Sequence, residues 1–327
     1  MSKPRSRREF IVAGLALPVA AEAALESPRA PLPAAAPETG DPPVIRKRTL
    51  GRTGLEVTEV GFGCMITSDA SVITRAADLG INFFDTARGY QSGNNERLVG
   101  AALKEHRQDI VLSTKAKGGT AEEALAELDE SLKELGTDHV DIWYLHAKST
   151  AEDVSDDLRE AQEKARAAGK IRFAGVSTHK GHAEVVSAAI EKKLDVVLMS
   201  YNFTMGDQME PLLASLREAG LGVVAMKTQA GVYWDRERTR MINMKAALKW
   251  VLTDENVHTS IPAFSTFDEL REGLSVMKDL SLTPEEERDL ELGDRLALSG
   301  NFCQQCGRCL PQCPAGVDVP TWMRASM

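Results

Sequence analysis

From Gly51 onward, short β-branched and apolar runs take turns with longer segments whose apolar positions recur every three or four residues. The runs 57–62, 82–85, 110–114, 140–145, 171–176, 195–200, 222–226 and 259–262 have the length and composition of buried strands. Segments near 71–79, 94–105, 120–135, 154–168, 181–192, 208–219, 241–252 and 266–278 read as helices. In the third of these, Ala121, Ala124, Leu125, Leu128 and Leu132 form one apolar stripe against a polar face, and Gly136 stops it. Strand followed by helix, repeated through the chain, predicts an α/β fold: a (β/α)₈ barrel over residues 45–300. An open doubly wound sheet is the rival. The chain lacks its dinucleotide fingerprint, since Gly61-Phe62-Gly63 has neither the third glycine nor a following helix.

The two ends break this pattern. Residues 1–23 run from basic (Lys3, Arg5, Arg7, Arg8) through an apolar stretch to small residues, the order of a secretory signal. The pair Arg7-Arg8 followed by Phe10 resembles a twin-arginine signal, which predicts export across the cytoplasmic membrane by that machinery, to the periplasm or beyond. The apolar stretch 11–21 is too short to remain as a mature transmembrane helix. Residues 24–44 hold six prolines among alanines and read as an extended linker.

Residues 301–327 carry Cys303, Cys306, Cys309 and Cys313, separated by two, two and three residues and followed by Pro314. This is the ferredoxin-type run that wraps a [4Fe–4S] cluster. Zinc usually takes cysteine pairs with a longer linker, and disulfides between such close neighbours would close very small loops. With no second run, one cluster is the limit. Its fourth ligand is Cys313 or, alternatively, the isolated Cys64.

Composition narrows the function. Hydrophobic residues make up 43% and charged residues 27% of the 327-residue chain, as in a soluble globular protein. The net charge of -9 argues against a nucleic-acid surface, which needs a concentrated basic patch. A barrel places its chemistry where strands end. Those ends carry Asp85, Lys115, His146 and Ser177, with Tyr90 in the loop after the second strand. Singly, each has an ordinary structural explanation. Together they put a carboxylate, an amine, an imidazole and a phenol at one rim.

The stretch FFDTARGYQSGNNERLVGAAL (Phe83 to Leu103), LSTKAK with Lys115, LGTDHVDIWYLHAK with Asp141 and His146, GVSTHK and SYNF resemble the aldo-keto reductase family in order and spacing. The resemblance covers roughly residues 46–280. It implies hydride transfer between NADP or NAD and a small aldehyde, ketone or alcohol, with Tyr90 as general acid. Lys115 would lower the Tyr90 pKa, Asp85 would hold Lys115 charged, and His146 would orient the substrate oxygen. For the cofactor, the resemblance implies Ser177, Thr178, Tyr201, Lys227, Ser265, Thr266 and Glu272. The fit is looser here: Met226 stands in place of a stacking aromatic, Leu198 in place of an amide, and Ala263 and Glu269 in place of basic residues. An iron–sulfur electron-transfer or binding protein on a barrel with weakened catalysis is the alternative. A redox partner is expected if the cluster passes electrons.

Overall fold

Strands buried on both faces need apolar side chains on each side, and this chain supplies them in alternation. The computed structural model describes residues 43–205, 207–230 and 242–295. The predicted signal, nearly all of the linker and the cysteine tail lie outside the described residues. Strands β3 (Phe62–Gly63), β4 (Phe83–Asp85), β5 (Val111–Ala116), β6 (Val140–Lys148), β7 (Ile171–Thr178), β8 (Val196–Ser200), β9 (Gly222–Met226) and β10 (Thr259–Ser260) run parallel and adjoin in sequence order. The sheet curls until its edges meet. Gly61 N–H donates to the Ser260 carbonyl at 2.8 Å, and Ser260 N–H donates to the Glu59 carbonyl at 2.9 Å. At this seam Gly63 permits the approach, because a Cβ there would lie 2.6 Å from the Ile261 carbonyl oxygen. The expected (β/α)₈ architecture is what forms.

Between the strands lie α1 (Ala70–Asp78), α2 (Asn94–Leu103), α3 (Ala121–Leu135), α4 (Asp156–Ala167), α5 (His182–Glu191), α6 (Glu210–Glu218) and α7 (Met244–Thr253), with α8 (Phe267–Ser275) after the last strand. Helix α3 illustrates how local sequence sets the ends. Thr120 and Glu123 form a reciprocal capping box, and Gly136 closes the other end in the left-handed region at φ 66°. The stripe residues Ala124, Leu128 and Leu132 are buried against the barrel.

Two features depart from the sequence expectation. The predicted strand 57–62 is two elements: β2 (Glu56–Thr58), which pairs antiparallel with β1 (Lys47–Thr49), and then the barrel strand β3. The hairpin stoppers the strand-entry end of the barrel. Its Leu50, Leu55 and Val57 pack with Phe83, Val111, Ile142, Tyr144 and Val196 in the inner core. Gly222 leaves room for Leu50, since a Cβ there would meet the Leu50 side chain at 2.7 Å. Beyond α8, an additional helix α9 (Pro284–Arg295) packs on α7. Among the described residues no helix is long and apolar enough to cross a membrane.

The period-two alternation of the strands sorts the site residues. In β4, Phe83 lies in the inner core, Phe84 in the outer layer under the helices, and Asp85 faces inward again. In β6, Ile142 and Tyr144 point in while Trp143 and Leu145 point out. The inner core from the hairpin upward is thus mainly apolar, and the inward-facing charged side chains Asp85 and Lys115 stand near the strand exits.

Candidate active site

Asp85, Ser113 and Lys115 face the interior from adjacent strands β4 and β5. Lys115 Nζ lies 2.5 Å from Asp85 Oδ2, 2.7 Å from the Thr86 carbonyl oxygen and 3.2 Å from the Tyr90 hydroxyl. The other Asp85 oxygen accepts from Ser113 Oγ at 2.7 Å. The ammonium and the carboxylate are both almost fully buried, so each depends on the other for its charge. Burial works to pull the Lys115 pKa down; the Asp85 carboxylate and the Tyr90 hydroxyl outweigh it and hold the ammonium above its ordinary value. Burial pushes the Asp85 carboxyl up, opposed by Lys115.

Tyr90 corrects one expectation. Lys115 does act to lower its pKa, but burial is larger and the Asp85 carboxylate adds to it, so the phenol lies above its ordinary value. At neutral pH Tyr90 is a protonated donor rather than a phenolate. Its backbone sits in a tight turn, with Tyr90 N–H donating to the Ala87 carbonyl at 3.0 Å. The next two residues, Gln91 and Ser92, are left-handed at φ 49° and 55°. The Gln91 side-chain amide ties this turn to the carbonyls of Met65 and Thr67. Beneath it, Arg88 pairs with the fully buried Glu96, which in turn accepts from Thr114.

His146 completes the group. Its ring stands edge-on to Tyr90, with centroids 5.9 Å apart and planes at 83°. A bulge in β6 re-aims it: Leu145 pairs with Val176 but Lys148 with Thr178, so one extra residue is accommodated. Ala147, left-handed at φ 55°, turns the chain there, and its N–H donates to Ser177 Oγ at 2.8 Å. Burial, then the charges of Lys115, Lys117 and Lys148 among others, push the His146 pKa down to about 2, so the ring is neutral. Its Nδ1 is buried without a hydrogen-bond partner.

The cofactor candidates are more dispersed. Ser177 is at the mouth, but its hydroxyl is engaged in holding the bulge beneath His146. Thr178 Oγ1 donates to the Lys180 carbonyl. Lys227 is exposed just beyond β9, left-handed at φ 58°, with its carbonyl accepting from Asn202 Nδ2 at 3.0 Å. Ser265, Thr266 and Glu272 lie exposed on and before the first turns of α8. There the Glu269 carboxylate already accepts the amides of Ser265 at 2.6 Å and Thr266 at 3.2 Å. Tyr201 points the other way: its ring packs on Trp250 of α7 and its hydroxyl donates to Asp254 at 2.9 Å. It therefore belongs to the outer layer and does not line the mouth. Strand alternation carries the signal, because Leu198 is inward and Tyr201 is three positions further on.

Cys64 is fully buried in the outer core, with its thiol pKa raised by burial. Cys303, Cys306, Cys309 and Cys313 lie outside the described residues. Among the described residues no group of three or more His, Cys, Asp or Glu side chains could hold a metal ion. Ser113 and Arg88 are supporting residues that motif reading passed over. Ser113 was findable, since it shares the inward face of β5 with Lys115.

Comparison with known proteins agrees with this geometry. A sequence model of the aldo/keto reductase family matches residues 67–247. An uncharacterized oxidoreductase, YqkF, of Bacillus subtilis is 35% identical over 199 residues, 55% of this chain and 64% of that protein. L-galactose dehydrogenase of Arabidopsis thaliana is 31% identical over 207 residues, 55% of this chain and again 64% of the relative. The chain thus matches somewhat less than two thirds of the length of these relatives. Among solved structures, the aldo-keto reductase AKR11C1 from Bacillus halodurans, in its holo form, superposes with a TM-score of 0.66 at 27% identity. That superposition covers 76% of this chain and 96% of the other. The chain belongs to the aldo/keto reductase family.

Proposed function

We propose that this protein transfers hydride between a nicotinamide cofactor and a small aldehyde or ketone, or runs the reverse with the alcohol. The observation that carries the reading is the hydrogen bond from Lys115 to the Tyr90 hydroxyl, at the end of a buried ion pair and beside a neutral His146. The oxidoreductase, dehydrogenase and reductase names of the relatives support the same class. The orphaned, buried Nδ1 of His146 supports a polar ligand at this mouth.

A bound nicotinamide supplies or accepts the hydride, and the chain manages the oxygen. Met226, at the end of β9, offers an apolar surface at the mouth, with Lys227 next to it. Ser265 and Thr266 would meet the adenosine end. Glu269 places a negative charge on the amides there, which disfavours a 2′-phosphate and favours NAD over NADP. As hydride reaches the carbonyl carbon, the negative charge that grows on oxygen takes the Tyr90 proton. Lys115 stabilises the phenolate that remains, and Asp85 keeps Lys115 charged and in place. The neutral ring of His146 has one N–H to donate to the same oxygen. Solvent then restores the phenol proton.

The cysteine tail adds a second element. Four thiols at these spacings fit one [4Fe–4S] cube, which would supply a one-electron centre. Cys313 would be the fourth ligand, a choice supported by the burial of Cys64 in the outer core of the barrel. Export by the twin-arginine route suits a protein that acquires such a group before transport. Two measurements test the proposal: oxidation of NADH or NADPH in the presence of an aldehyde, and the visible spectrum of protein purified without oxygen. Aldehyde-dependent oxidation and a broad absorption that bleaches on reduction are expected. Absence of the first defeats the reductase reading, and absence of the second defeats the cluster.

A further inference from the structure

The mouth carries more positive charge than the proton-donating group uses. Lys115 is committed to Asp85, but Lys117 and Lys148 follow it and His146 by two residues each, Lys117 just past the end of β5 and Lys148 at the end of the adjacent β6. Lys117 Nζ lies over the turn that carries Tyr90, 3.9 Å from where a Cβ on Gly89 would sit. Both lysines act electrostatically on the His146 ring. The neighbouring carboxylates are turned to backbone amides: Glu127 accepts from Lys117 N–H at 2.7 Å, and Asp153 from Ser149 N–H at 2.8 Å and Thr150 N–H at 3.1 Å. Among the described residues neither ammonium has a carboxylate within ion-pair distance.

A cofactor does not account for these charges. Lys227, Ser265, Thr266 and Glu272 lie beyond β9 and on α8 after β10, across the barrel from β5 and β6 in the circular strand order. Ser177 and Thr178 adjoin on β7, but their hydroxyls are engaged with Ala147 N–H and the Lys180 carbonyl. Asp153 and Glu127 act on Lys148 only from beyond ion-pair distance, so two ammoniums without a contact partner stand beside the hydride-accepting carbonyl and attract an anion there.

We propose that the substrate is a carbonyl compound bearing an anionic group, carboxylate or phosphate, received by Lys117 and Lys148. The proposal rests on the carbonyl-oxidoreductase reading above. Its test uses the full-length protein with 4-carboxybenzaldehyde and with the methyl ester of that acid, two aldehydes that differ in charge. The acid is expected to be preferred about tenfold in kcat/KM, mainly through KM, with the preference shrinking as salt rises. The double variant Lys117→Met, Lys148→Met should bring the two substrates close to equality, and Lys117→Arg, Lys148→Arg should keep the preference. Benzoate and phenyl phosphate as competitors tell the two anions apart, the stronger inhibitor naming the group. Equal use of acid and ester by the unmodified protein, or an undiminished preference in the methionine variant, overturns the proposal while leaving the reductase reading intact. Turnover of neither aldehyde defeats both.

Discussion

The barrel buries an ion pair at each end, and the two are put to different uses. At the strand-entry end Glu59, 2% exposed, is flanked by Arg46 and Arg48. The rest of the Arg48 guanidinium is spent on the carbonyls of Leu252, Asp254 and Val257. Every partner there is a fixed acceptor, so the cluster ties the hairpin to the end of α7 and does nothing more. At the strand-exit end Lys115 likewise binds a carboxylate and a carbonyl, but its third partner is the Tyr90 hydroxyl. A proton can leave that group. The same physics of paired buried charge thus gives a clamp at one end and, at the other, supports the hydroxyl proposed as the proton donor; the difference lies in the last partner.

Substitutions should separate the two ends. Lys115→Met removes the cation from both Asp85 and Tyr90; turnover should fall about 10²–10⁴-fold, measured by steady-state aldehyde reduction. Arg48→Met should instead lower stability by about 2–3 kcal/mol in denaturant unfolding, because the buried Glu59 keeps only the half-exposed Arg46 and three carbonyls lose their donor, while kcat per folded molecule holds. If Arg48→Met cut turnover as deeply as Lys115→Met, the division between the ends would be false.

Acid should act through the exit end. His146 has a folded pKa of about 2 against an ordinary value of 6.5, so below 6.5 the unfolded chain binds a proton that the folded ring refuses. Its contribution to stability is present above 6.5 and is lost as pH falls, amounting to about 2 kcal/mol by about pH 5. Thermal unfolding against pH should show a shallower acid decline in His146→Gln. The smallest effect is expected at α8, where Glu269→Gln should raise NADP affinity relative to NAD by about threefold in a fluorescence titration.

The sequence was most readable where local and tertiary requirements coincide. Helix α3 announces both of its ends and its buried stripe, and the inward alternation of Phe83 and Asp85 follows from strand geometry alone. The hairpin was hidden because Val57, Thr58 and Val60 are all β-branched, and only the tertiary need to stopper the barrel divides that run. Helix α9 escaped an apolar-periodicity reading because its first two turns are mostly charged. The signal present was the capping box of Thr283 with Glu286, whose reciprocal amide bonds are 2.9 and 3.2 Å. At the site, Asp85, Tyr90, Lys115 and His146 were legible because barrel topology brings strand ends together. The pKa direction of Tyr90 and the outward turn of Tyr201 were not, since each depends on burial that only packing decides.

The most direct test of the central claim, that Tyr90 is the proton donor of a single site at the strand exits, is Tyr90→Phe assayed for aldehyde reduction and cofactor binding in the same preparation. Turnover should fall at least about a hundredfold with the cofactor dissociation constant within about twofold of the unmodified protein. Turnover equal to that of the unmodified protein would contradict the account.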